Sequence, residues 1–177
     1  MKIDNYPQSL EQFIELRNQI ATTPEGGLAC FIIALREYAE KGEEALPWLI
    51  ICREINDLQE SNQPGNYKGY TLGRSELSRI NSQFARQKYI ANSYFVGATP
   101  ENNYTVPATA EFQFSSNKYS GDPSEGETKI FVGCSGASTP RPSRLKRNEK
   151  GIWKVKEYSS LIVGIMGADS EKRVDDL

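Results

Sequence analysis

The order of segments, helices first and strands after, predicts an α+β fold, with about four N-terminal helices packed on a C-terminal antiparallel β-meander of about four to five strands. Two observations carry this. Up to Tyr94 the apolar residues recur at three- and four-residue spacing behind helix-start signals, and beyond Tyr94 they alternate between turn-rich stretches. The 177 residues, 18 of them aromatic, suffice for one domain with a core. That domain is expected over residues 1–167, with 168–177 a polar tail that frays.

Ser9 and Gln12 form a capping box before Leu10, Phe13, Ile14 and Ile20, which predicts a first helix over about 10–21. Thr23-Pro24-Glu25 supplies a cap, a proline at the first helical position and an acid near the positive end of the helix dipole. Leu28, Phe31, Ile32, Leu35 and Tyr38 follow on one face, and Gly42 ends this second helix. A third is expected from Glu43 to about Asp57. After the glycine-rich loop Gln59–Gly73, Ser75 is the expected cap of a fourth helix marked by Leu77, Ile80 and Phe84.

The segment "ATAEFQFSS" then alternates, and "TKIFVGCSG" reads as a buried strand. "RPSRLKRNEKGIWKVKEYSS" reads as two strands joined through Asn148-Glu149-Lys150-Gly151, and "SLIVGIM" as a last strand.

Composition removes several function classes. There is no histidine, so Ser-His and Cys-His nucleophile pairs are absent and the commonest metal ligand is missing. Cys30, Cys52 and Cys134 are odd in number and far apart, which is no disulfide framework and no metal motif. No metal, cofactor or catalytic residue is expected. The carboxylate pairs Glu37 with Glu40 and Glu43 with Glu44 are expected to be solvated helix acids. No stretch reaches the roughly 18 apolar residues of a membrane span and the N-terminus has no signal-type apolar core, so a cytoplasmic protein without membrane contact is expected.

Net charge is −2 but uneven. Residues 1–60 hold five basic and eleven acidic side chains, whereas residues 141–156 hold seven basic and one acidic. Arg141, Arg144, Lys146 and Arg147 lie within seven residues, and guanidinium forks match phosphate or carboxylate oxygens. The small residues Gly133 to Thr139 precede them. An anion site would use Arg141, Arg144 and Lys146, with Ser138, Asn103 and Tyr104 as polar partners. The plain alternative is a solvated strand. At period two, Arg141, Ser143, Leu145 and Arg147 face one side while Pro142, Arg144 and Lys146 face the other, which splits the charges. "GCSG" matches no phosphate-loop or dinucleotide pattern.

The stretches "TPEGGLACFIIALREYAEKGEEALPWL", "YKGYTLGRSELSRI", "SYFVGATPENNYT" and "SGASTPRPSRLKRNEKGIWKVKEYSSL" together resemble an uncharacterised bacterial family, a domain of unknown function. The likeness spans about residues 8–166 and is most specific at Ser135–Ser160. It implies a bacterial stand-alone domain and transfers no functional residues. Helices before a curved meander with a penultimate "GIWKV" strand also look like the nuclear-transport-factor-like cone fold, which implies a pocket between helices and sheet.

The expected function is that of a non-catalytic binding module, docking a protein of complementary charge or a second copy of itself. The rival is a domain or enzyme that holds a phosphate- or carboxylate-bearing small molecule. Single-stranded nucleic acid is disfavoured, because only Trp153 and Tyr158 lie near the basic run.

Overall fold

The computed structural model describes residues 1–172. Helices and sheets are both present, as the α+β expectation requires. Helix α1 (Leu10–Ile20) starts where Ser9 caps it: the Ser9 hydroxyl accepts from the Gln12 N–H. Helix α2 (Pro24–Lys41) starts at Thr23, whose hydroxyl accepts from the Gly26 N–H, and stops at Gly42, whose φ of 63° turns the chain out of the helix.

The third helix is shorter than its sequence suggests, leaving three long helices instead of about four. A 3-10 turn (Gly42–Ala45) leads into α3, only Leu46–Cys52. Arg53 then turns extended, at φ −84° and ψ 150°. Its competitor is the sheet, since the Glu54 N–H donates to Val155 O at 3.0 Å. Helix α4 (Arg74–Arg86) begins one residue before its expected cap. Its N-cap is Gly73, and Ser75 lies inside the first turn.

Two short strands, β1 (Lys2–Ile3) and β2 (Gln59–Glu60), were not anticipated, nor was β3 (Tyr70–Thr71), which pairs with β2. The alternating stretch around Phe112 splits into β4 (Ala110–Glu111), paired with β1, and β5 (Phe114–Ser115). The main sheet is antiparallel, in the order β5, β6 (Glu127–Val132), β7 (Arg141–Arg147), β8 (Trp153–Glu157). The β7–β8 hairpin turns at Gly151, with φ 77°. The expected last strand does not form. Ser159–Ile162 is a 3-10 turn, and the chain beyond it runs extended without a ladder.

One face of the main sheet is buried: Thr128, Ile130 and Val132 of β6, Ser143 and Leu145 of β7, Trp153 and Val155 of β8. Helix α2 packs there. Its first turn fits because Gly27 has no side chain; a Cβ would lie 2.7 Å from Trp153 O. Phe13 of α1 stacks on Trp48 of α3 at 4.4 Å, which joins these helices to the same core. Cys30 and Cys52 are buried in it. Of the tail expected to fray, Ala168 is buried and Asp169–Glu171 makes a 3-10 turn, while 173–177 lie outside the described residues.

Candidate functional site

Period-two geometry in β7 sends its cations to opposite sides. Arg141 lies on the side of the buried Ser143 and Leu145, at the sheet's end, and its guanidinium is committed inside the molecule. It donates to Val163 O at 3.1 Å, Gly164 O at 2.8 Å and the Tyr94 hydroxyl at 3.3 Å. Arg144 and Lys146 lie on the outer side. Arg144 is 3.5 Å from Glu127 and Lys146 is 3.9 Å from Glu54. The three cations do not converge on one point.

Asn103 and Tyr104 sit at the end of a short 3-10 turn with positive φ, 55° and 54°. A capping box made by Thr99 and Asn102 fixes that turn. Tyr104 is fully buried, stacks on Tyr89 at 4.8 Å and donates to Met166 O at 2.6 Å. Burial pushes its phenol up to about 12, so it stays a donor. The Asn103 side-chain oxygen accepts from the Ser170 N–H at 3.0 Å. Thus Arg141, Asn103 and Tyr104 do come together in one respect: all three hold the segment that follows Ile162.

Ser138 lies elsewhere, on a hollow of about 360 Å³ between the Gly133–Pro140 loop and the Ser93–Gly97 turn. Ser93, Gln113 and Cys134 also line it, and none of the described lining residues is charged. The Cys134 sulfur is 3.2 Å from the Ser93 hydroxyl. A more open hollow of about 500 Å³ lies against the β2–β3 hairpin, lined by Glu60, Ser61 and Lys68 among others.

The outer face of the main sheet is basic. Lys129 of β6, Arg144 and Lys146 of β7, and Lys154 and Lys156 of β8 share it with Glu127 and Glu157, and Glu54 approaches from the edge. Phe131 and Pro142 are register partners on this same side and are only partly buried, so an apolar pair sits among the charges. The side chains of Arg144, Lys146 and Lys156 are 47%, 44% and 41% exposed. Sequence reading found Arg144 and Lys146 but missed Lys129, Phe131 and Lys154, whose membership follows only from the strand register.

The expected helix acids need one correction. Glu37 is buried, 2.8 Å from Lys41, and accepts from the Tyr6 hydroxyl at 2.9 Å. Burial raises the Tyr6 phenol well above its ordinary value, which keeps that donor in place. The partners of Glu37 are therefore accounted for within the fold. Among the described residues, no cluster of three potential metal-ligating His, Cys, Asp or Glu forms, and no helix is long and apolar enough to cross a membrane.

Compared with known families, residues 5–169 match the model of a domain of unknown function, DUF6935, and the chain belongs to that family. No curated protein and no solved structure matches the chain.

Proposed function

We propose that this DUF6935 domain acts by binding a protein partner through the outer face of β5–β8, and that the partner presents an acidic surface with an apolar centre. The observation that carries the reading is the arrangement of that face, on which Lys129, Arg144, Lys146 and Lys156 accompany the partly buried Phe131–Pro142 pair, while the Lys154 ammonium turns in to Ile51 O. An apolar centre with a charged rim is how interfaces divide affinity from steering. The acidic helical half of the chain is oppositely charged to this face, so it does not compete for an acidic partner. The absence of histidine removes the commonest general base and fits a binding role.

The rival reading, an anionic small molecule, has less support. Its expected ligands do not converge: Arg141 is bonded to the segment after Ile162, and Arg144 and Lys146 lie on the opposite face of β7.

Backbone amide resonances followed during titration with a polyglutamate peptide carrying interspersed phenylalanines test this proposal. Shifts should concentrate at Lys129, Phe131 and Arg144, weaken with salt, and fall at least ten-fold in affinity in Lys129→Glu/Arg144→Glu. Shifts centred on the Ser93–Cys134 hollow, or no shifts at a large excess of peptide, would count against it.

A further inference from the structure

The segment from Val163 to Ser170 is gripped in an unusual way. Within folded domains about two-thirds of hydrogen bonds join main-chain groups to one another in helices and ladders. Here side chains do the work. Arg141 donates to Val163 O and Gly164 O, at 3.1 and 2.8 Å. The Gln87 amide closes both sides of Ile165, accepting from its N–H and donating to its carbonyl, each at 2.9 Å. Tyr104 donates to Met166 O, the Ala168 N–H reaches the Tyr89 hydroxyl at 3.3 Å, and the Ser170 N–H reaches Asn103 at 3.0 Å. One backbone pair joins them, Met166 N–H to Gly136 O at 2.9 Å.

The cradle therefore reads the main chain of a segment that is extended at Val163 and Ala168 and ends in the 3-10 turn Asp169–Glu171, and it is built from parts far apart in sequence: Gln87, Tyr89, Asn103, Tyr104, Gly136 and Arg141. It tests side chains at two places. Ile165 lies against Gly136, where a Cβ would come within 2.6 Å of the Tyr104 hydroxyl and 2.7 Å of the Ile165 Cβ. Ala168 is 2% exposed, leaving room for a small residue. Between and before them, Met166 and Val163 are 58% and 45% exposed and are not read at all.

From this we infer that the cradle is a peptide-binding groove that the chain fills with its own segment 163–170. An extended stretch of another polypeptide, aliphatic at the Ile165 position and small three residues on, makes the same bonds and competes for it. Recognition by main-chain bonds with pockets for alternate side chains is how extended peptides are held on protein surfaces. Little apolar area anchors the resident segment beyond Ile165 and Ala168, which places its release among the low-energy local openings. The inference rests on this cradle alone and stands or falls apart from the basic sheet face.

The test uses the full chain carrying Ile165→Asp, which expels the resident segment, and a fluorescent peptide of residues 161–172. The peptide should bind Ile165→Asp at least ten-fold tighter than the unaltered chain. Adding Gly136→Ala to Ile165→Asp should reduce that binding at least ten-fold, because the new Cβ meets both the incoming isoleucine and the Tyr104 hydroxyl that donates to Met166 O. Equal binding to both chains, or none to Ile165→Asp, overturns the inference. Should Ile165→Asp not fold, hydrogen exchange of the unaltered chain decides: the Ile165, Met166 and Ser170 amides should exchange at least ten-fold faster than those of α2. Exchange at the same rate as α2 would mean the groove never empties, and the inference would be wrong.

Discussion

Arg53 and Glu76 meet inside the molecule, Nε to carboxylate at 3.0 Å, beneath the ring of Tyr158. The guanidinium lies 4.8 Å from that ring's centroid, and the Tyr158 hydroxyl donates to the same carboxylate. Arg53 Nη1 donates to Val155 O at 2.7 Å and to Lys156 O at 2.9 Å, and Nη2 lies 3.7 Å from Asp57. One residue thus ties the end of α3, the start of α4 and strand β8. Removing it strands a carboxylate whose side chain is only 14% exposed. Arg53→Ala should cost about 3–5 kcal/mol in chemical denaturation, the range for breaking a buried pair from one side. Glu76→Gln in the same background should recover part of the loss. A loss under ~1 kcal/mol, the level of an exposed pair, would show that the pair is not stabilised as described.

The two prominent arginines of β7 should separate in the same assay. Arg141 makes three charge-assisted bonds, two to main-chain carbonyls of the segment after Ile162. Arg141→Ala should cost about 1.5–3 kcal/mol. Arg144 pairs with Glu127 at 3.5 Å, with both side chains more than a third exposed. Arg144→Ala should stay within about 0.5 kcal/mol. Equal losses would remove the distinction between an arginine bonded to the main chain and one in an exposed ion pair, on which the docking face depends.

Lys154 predicts a pH signature. Burial, with no carboxylate among the groups that shift it, lowers its ammonium to about 8. Its Nζ donates to Ile51 O at the end of α3. In the unfolded chain the group titrates near 10.4. Between these values the unfolded state holds more protons than the folded one, so this residue's contribution to stability rises as pH increases from about 8 to 10.4. Below 8 both states are charged and the full burial penalty applies. Lys154→Met should therefore stabilise the protein more at pH 7 than at pH 10. Measuring wild type and variant side by side cancels the tyrosines that titrate above 10. A difference independent of pH would refute the assignment.

Thiol labelling should count one fast cysteine in the native protein. Cys30 and Cys52 are buried, and burial pushes the Cys52 thiol up to about 12 and the Cys30 thiol well above its ordinary value. Neither offers thiolate at neutral pH. Cys134 is partly exposed at the hollow beside Ser93. A maleimide should modify Cys134 alone until denaturant is added, when all three react. Native labelling at Cys30 or Cys52 would contradict the packing of α2 on the sheet.

What the sequence revealed follows the range of the interactions. The starts of α1 and α2 were legible because Ser9 and Thr23 bond to N–H groups three residues away. The strand pattern of β6 to β8 was legible because period two needs no partner. The end of α3 was not legible. Nothing local stops a helix at Cys52; what stops it is Val155, over a hundred residues later, accepting from Glu54. "SLIVGIM" failed as a strand for a similar reason: Arg141, Gln87 and Tyr104 take the main-chain groups that a ladder would use. The site residues show both outcomes. The two faces of β7 could be read from spacing. That Arg141, Asn103 and Tyr104 share one task depends on three loops meeting, which no spacing encodes.

The chain leaving α3 has one more effect. Arg53 pairs with Val155 as a parallel bridge along the outer border of β8, and the Glu54 N–H and the Arg53 side chain occupy carbonyls there. The opposite border is β5, two residues long. A sheet closed off at one border and truncated at the other offers incoming strands no template. Concentrated solutions of this domain should therefore resist fibril growth, and loss of Arg53 should open a route to cross-β polymerisation as well as lower stability.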